Sequence, residues 1–334
     1  MAQAPVGRMS DDETTAPAAG LPHFDVAIAA PDLSPWREGN TGIAGFSTRA
    51  SAMPGPHVAL IALVHGNEVA GAIVLAGLLA AGLWPVRGRL TFGFANLAAF
   101  DRFDPAQPTA SRFLDEDLNR LWDIPVLDGP RRSLELDRAR AMRPLIDTVD
   151  VLLDLHSMLW ASEPLLLSGG TPKGRKLARA IGQPELVVAD PGHVSGRRLI
   201  DYGQFAEWSA APAAVLVEAG QHWQDTTVAM TLASVAGLLH HLDLARDHPA
   251  LPPPPLRPCH RFAEVTTVVT AATSGFAFLQ PYRGGDVIAA RNTLIAVDGE
   301  QEVRTPYDDC MLVMPSLRPS RGHTAVRLAR MVGA

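Results

Sequence analysis

The chain has 334 residues, 47% of them hydrophobic and 19% charged, with a formal net charge of −6. That length is about twice a typical domain of ~150 residues, and the apolar content excludes wholesale disorder. The 29 lysines and arginines are scattered rather than gathered into a basic stripe, which argues against a nucleic-acid partner; two cysteines, Cys259 and Cys310, cannot make a disulfide scaffold and point to a reducing compartment.

Residues 1–22 are polar and rich in Ala and Pro, with no apolar signal-peptide centre, and read as a flexible tail before a fold that starts near Phe24. A cytoplasmic location is the expectation. Val58–Val64 is a continuous apolar run with the length of a strand buried on both faces. The uncharged stretch Val69–Val86 has the minimum length of a membrane span. Its glycines, its many alanines, the closing Pro85 and the flanking Glu68 instead predict a helix over Val69–Leu83, buried inside a soluble protein. No membrane partner is expected. Arg89–Asn96 alternates like a strand, and a long polar loop broken by Pro105, Pro108 and Pro125 follows, a length usually reserved for functional loops.

Ser133–Thr148 reads as a helix and Val149–Leu155 as another buried strand. Short strands are predicted at Leu165–Ser168, Leu186–Ala189 and Ala213–Val217, and helices at Lys173–Ile181 and Thr227–Leu244. This alternation predicts an α/β fold: a mixed, mostly parallel sheet with helices on both faces, over residues 23–248. Prolines at 249, 252–255 and 258 mark a stiff linker over 249–258. Residues 259–334, with short apolar runs at 263–272, 275–279, 286–290, 293–297 and 310–314, predict a small all-β C-terminal domain.

Ligands of open α/β sheets bind beyond the carboxyl ends of the strands. His65, His156 and Glu218 each follow directly on a predicted buried strand, and Glu68 lies three residues after His65. Two histidines and one carboxylate are the usual protein ligands of a catalytic zinc, and a further carboxylate beside them can act as general base. Each residue alone has an ordinary explanation: a hydrogen-bonded loop histidine, a helix-capping Glu68, an ion-paired Glu218. Together they would need three coincidences at one sheet edge. The polar loop adds Arg112, Asp117, Asn119 and Arg120, a set able to stabilise an oxyanion and hold a carboxylate.

His65-Gly-Asn-Glu68, Arg112 with Asp117-Leu-Asn119-Arg120, Asp154-Leu-His156 and Glu218-Ala-Gly220 occur in an order and spacing that resembles the succinylglutamate desuccinylase/aspartoacylase family, relatives of the zinc carboxypeptidases. The resemblance covers roughly 56–244, and the β module after the linker is similar to the family's C-terminal domain. It implies one zinc ion per chain, held by His65, Glu68 and His156. It also implies Glu218 as general base and proton shuttle, Arg112 polarising the scissile carbonyl, and Asn119 and Arg120 binding the carboxylate of the amino-acid part. The expected activity is hydrolysis of a small N-acyl amino acid to a carboxylic acid and a free amine. A carboxypeptidase acting on short peptides, an N-acetyl-diaminobutyrate-type deacetylase and a non-catalytic binding protein are the alternatives.

The sequence departs from the family where Asn96 is followed by Leu97 in place of the frequent Pro, and the residues that select the acyl group have no clear counterparts. The Gly-rich segment 191–203 is the expected replacement, which brings in Arg197 and Tyr202 as substrate-binding candidates. His222 either lines the pocket or caps the following helix. Asp154, on the same strand face as His156, is assigned to orienting an imidazole, and Asp117 to the same supporting role. His240 and His241 read as structural, Cys259 and Cys310 as buried thiols, and the apolar helices and β module leave a homodimer open.

Overall fold

The computed structural model describes residues 23–193, 195–245, 247–253 and 260–333. The tail expected over residues 1–22 therefore lies outside the described residues, as do the linker positions 254–258 and Cys259. The α/β part supplies strands β1 (Phe46–Ala50), β2 (His57–Ala62), β3 (Arg89–Phe94), β4 (Val151–Met158), β5 (Leu165–Leu167), β6 (Leu186–Ala189) and β7 (Ala213–Gln221). Its helices are α1 (Val69–Ala80), α2 (Leu97–Phe100), α3 (Ile124–Asp128), α4 (Leu134–Ile146), α5 (Pro172–Ile181) and α6 (Asp225–His241). The remaining strands are β8 (Arg261–Thr270), β9 (Phe276–Phe278), β10 (Val287–Ile288), β11 (Leu294–Asp298), β12 (Gln301–Arg304), β13 (Cys310–Val313) and β14 (Thr324–Val332).

Period-two alternation divides the core into two layers. Along β2, Val58, Leu60 and Ala62 pack with Leu75, Leu78 and Leu238 from α1 and α6. Ala59 and Ile61 face Leu136, Ala139 and Met142 of α4 on the other side. Every residue of β2 is buried, as expected of a strand covered on both faces. The segment checked against a membrane span is α1, whose Leu75 and Leu78 sit in this core; among the described residues no helix is long and apolar enough to cross a membrane.

The main sheet has the order β1-β3-β2-β4-β7-β5-β6-β8-β14-β13-β10, and a smaller one the order β12-β11-β9. β3, β2, β4 and β7 run parallel, with β1 antiparallel to β3, and β5 antiparallel to β7 but parallel to β6. The C-terminal strands do not stand apart from this sheet. β8 pairs parallel with β6, Leu186 opposite Arg261, and β14 and β13 continue it in antiparallel fashion. The start of the expected linker is docked too: Leu251 is buried in the α/β core, and the Pro252 carbonyl meets the His240 ring at 3.0 Å.

Strand ends differ from the predicted ones in a way that matters for the site. β2 stops at Ala62, because Leu63 turns into the left-handed region at φ +58°. β4 and β7 instead run on through His156 and Glu218, which face each other across the ladder.

Candidate functional site

After the Leu63 turn the chain delivers His65, then Gly66, which has no room for a side chain. A Cβ there would stand 2.5 Å from the backbone of Ala99 and Phe100 and 2.6 Å from the Ser111 carbonyl oxygen. The close approach lets Gly66 donate to the Arg112 carbonyl at 3.0 Å and clamps the arginine-bearing loop against the histidine turn. Glu68 precedes α1 but makes no side-chain cap. Its carboxylate turns inward, with Oε1 2.7 Å from His65 Nδ1 and Oε2 3.0 Å from both His156 Nδ1 and the Ser157 amide.

His65, Glu68 and His156 are all buried, and one ligand atom from each lies within 4.8 Å of the others. The second ring nitrogen of each histidine faces another carboxylate, His65 Nε2 at 2.9 Å from Asp117 Oδ1 and His156 Nε2 at 2.9 Å from Asp154 Oδ2. This is the arrangement of metal-binding imidazoles held by an outer carboxylate. Neither oxygen of Asp154, nor His156 Nε2, has an aligned hydrogen bond, although all are buried. Arg112 joins the group, Nη1 donating to Glu68 Oε1 at 3.2 Å and Nη2 to Asp117 Oδ2 at 3.4 Å.

Burial pushes the Glu68 carboxyl up, but the imidazoles of His65 and His156 outweigh it and hold it well below the usual carboxylate range. His156 is displaced in the opposite sense: burial lowers it, yet Asp154 and Glu68 raise it well above an ordinary histidine. At Glu218 the nearby charges of His156, Arg112 and Arg327 do not outweigh burial. Burial and the neighbouring Glu68 charge push it up to about 8, and its Oε2 makes no hydrogen bond. Glu68, Asp117, Asp154 and Glu218 thus crowd around the two imidazoles and Arg112, a gathering of buried carboxylates that a divalent cation would help neutralise.

The cluster opens into a cavity of about 970 Å³, lined also by Asn119, Arg120 and His222. Asn119 Oδ1 accepts from the Leu199 amide at 2.8 Å, which leaves its Nδ2 for a ligand. Arg120 donates to the Asn119 carbonyl at 2.6 Å. His222 does not cap α6; its Nδ1 is 2.7 Å from Ser157 Oγ, and burial brings its pKa down to about 4, so it is neutral near pH 7.

Two expected substrate residues lie away from the cluster. Arg197 is more than half exposed and pairs with Asp123 at 3.3 Å, beside a separate cavity of about 340 Å³. Tyr202 is buried against Trp122, its hydroxyl donating to Asp147 at 2.7 Å and accepting from Arg143 at 3.0 Å. Neither reaches the cluster, because the 3-10 turn at Leu199–Asp201 sends Tyr202 into the core while Arg197 stays at the surface. The same segment instead turns His193 and Arg198 toward the large cavity.

Sequence reasoning missed Glu135, on the first turn of α4. Its buried carboxylate accepts from the amides of Leu114, Asp115 and Glu116 at 2.7, 3.0 and 3.3 Å, and so holds the loop that carries Arg112. Nothing in the local pattern separates it from a surface helix acid. Arg327 of β14, which also faces the cavity, was missed with its whole strand.

The fold and site define an α/β protein whose buried strand ends present two histidines and a glutamate able to hold a metal ion. Residues 54–183 match the sequence model of the succinylglutamate desuccinylase/aspartoacylase catalytic domain, a span that holds the first three of the four motifs and ends before Glu218-Ala-Gly220. A succinylglutamate desuccinylase of Burkholderia cenocepacia is 26% identical over 310 residues, covering 84% of this chain and 83% of its own. Among solved structures, the succinylglutamate desuccinylase of Vibrio cholerae matches with a TM-score of 0.64 at 17% identity, over 87% of this chain and 86% of its own. The product-bound ectoine utilization protein EutE of Ruegeria pomeroyi matches with a TM-score of 0.60 at 16% identity, over 85% and 88%. At these identities the structural likeness speaks for the fold.

Proposed function

We propose that the chain is a zinc-dependent amide hydrolase that cleaves a small N-acyl amino acid into a carboxylic acid and a free amine. The observation that carries this reading is the convergence of His65, Glu68 and His156 within 4.8 Å, with an unpartnered Glu218 beside them. The likeness to a family described by desuccinylase and aspartoacylase names supports the substrate class.

His65, Glu68 and His156 would hold the ion, and the donor set fits: two imidazoles backed by Asp117 and Asp154, and a carboxylate already ionised. When bound, zinc supplies Lewis acidity, acidifying water and polarising a carbonyl. Glu218 takes the proton of the attacking water on its free Oε2 and passes it to the leaving amine, a task suited to a carboxyl whose pKa lies close to neutrality. Arg112, aimed by Glu68 and Asp117, donates to the carbonyl oxygen as negative charge builds there. Asn119 Nδ2 and the Arg120 guanidinium grip the amino acid's own carboxylate.

The test is metal analysis of the purified protein, followed by assay of N-acetyl and N-succinyl amino acids beside short peptides with zinc restored. Glu218→Gln is expected to keep stoichiometric zinc and lose about a thousandfold in kcat. Full turnover in that variant overturns the base assignment, and exclusive cleavage of peptides overturns the substrate class.

A further inference from the structure

Two stretches of the cavity lining differ in kind. The loop 112–120 brings Arg112, Asp117 and Arg120 to it, and the mechanism above uses that loop. The stretch Ser157–Ser162, which follows directly on His156, lines the cavity with Met158, Leu159 and Trp160 and carries no charge. The first charge beyond it, Glu163, is taken up by Arg261. No step has yet been given to this uncharged stretch.

It is fixed at both ends. The Met158 and Leu159 carbonyls accept from the His222 amide at 2.7 Å and from Gln221 Nε2 at 3.3 Å, at the end of β7. At the other end the Gly284 amide donates to the Ala161 carbonyl at 3.2 Å, and the Glu163 amide donates to the Gly284 carbonyl at 2.8 Å. A Cβ on Gly284 would stand 2.1 Å from Ser162 Oγ, so this contact is as close as a glycine allows. Leu159 packs beside Trp223, and the half-buried Trp160 meets the Phe24 ring edge to face, centroids 5.6 Å apart at 67°. Phe24 itself leans on Trp223 at 5.9 Å. Held in this way, the indole presents fixed apolar surface to the cavity, and a ligand pays little to order it. The room is large as well: about 970 Å³ is near the top of the roughly 300–1,000 Å³ range of pockets for drug-sized ligands, and N-acetyl-alanine would fill little of it. A second carboxylate laid against this stretch would lose its hydration with no cation there to meet it, whereas an apolar group would remove both surfaces from water.

We propose that Trp160, on this rigid uncharged wall, makes the enzyme selective for N-acyl amino acids that carry a large apolar group, an aromatic ring above all, which packs on the indole. The inference rests on the N-acyl amino acid reading above. The ring has two sources, the acyl group or the amino-acid side chain.

The experiment compares N-phenylacetyl-alanine and N-acetyl-phenylalanine, each carrying one ring, with N-acetyl-alanine, on the zinc-loaded full chain. One of the two aromatic substrates is expected to be preferred at least about tenfold in kcat/KM, which identifies the source. Trp160→Ala should cut that preference at least about tenfold and mainly through KM, with Trp160→Phe keeping part of it. No preference for either ring in the parent, an unchanged ratio in Trp160→Ala, or a loss shared equally by all three substrates overturns the aromatic wall and leaves the deacylase reading standing. No hydrolysis of any acyl amino acid by the zinc-loaded parent overturns both. Should the variants fail to fold, product inhibition of the parent decides: phenylacetate or phenylalanine must bind at least about tenfold tighter than acetate or alanine, and equal inhibition sinks the proposal.

Discussion

His156 and Glu218 stand on strands buried on both faces and His65 and Glu68 on the turn from β2 into α1, whereas Arg120 stands on a 3-10 turn, His193 on a loop and Arg327 on β14, a strand of the C-terminal part. In the first region, a backbone ladder places His156 and Glu218, the turn between β2 and α1 places His65 and Glu68, and helices of two core layers lock the ladders. In the second, placement depends on contacts between segments far apart in the chain. Leu121 bridges Arg197, the Trp122 amide donates to the Arg197 carbonyl, and Asp190 joins Arg198 to Arg327. The difference teaches that the His65–Glu68–His156 cluster rests on the sheet and the turn after β2, while the opposite wall of the cavity is assembled by contacts between remote segments.

One substitution on each side can break that contrast. Gly66→Ala, which drives a Cβ into the backbone at Ala99, Phe100 and Ser111, is expected to cost about 3 kcal/mol. It should also lower metal content and activity together by at least about a hundredfold, read by denaturation and metal analysis. Gly196→Ala places a Cβ 2.1 Å from the Arg120 carbonyl at a backbone φ of +141°. The strained loop should cost about 2 kcal/mol and raise KM roughly tenfold with zinc retained. Loss of zinc in the second variant would show that the two walls are not independent. The smallest effect belongs to Tyr202→Phe, which removes hydroxyl bonds to Asp147 and Arg143 far from the cluster. About 1 kcal/mol of stability and less than about a twofold change in kcat/KM are expected; a large KM effect would return Tyr202 to the substrate side.

Legibility in the sequence follows the same divide. The runs at Val58–Val64, Val149–Leu155 and Ala213–Val217 are too apolar to be anything but buried, so polar residues at their ends announce a site even though the true strand ends lie up to four residues away. β14 was invisible for the opposite reason. In Thr324–Val332, Arg327 and Arg330 interrupt the apolar pattern, and the buried Asp190 with the half-buried His193 helps make the first of them tolerable inside. Arg197 and Tyr202 had the right chemistry for a substrate loop, but spacing along a loop does not say which way a side chain turns.

From the sequence alone came the α/β architecture and the residues gathered at its sheet edge, because both follow from short-range periodicity and the rule that strands open their carboxyl ends to ligands. Only the tertiary structure decided that the C-terminal strands extend the main sheet, that Glu135 holds the Arg112 loop, and which arginines are consumed by buried carboxylates and which still face the cavity. The physical reason is that a loop side chain's direction and a buried charge's compensation are set by partners remote in sequence, and no local pattern encodes them.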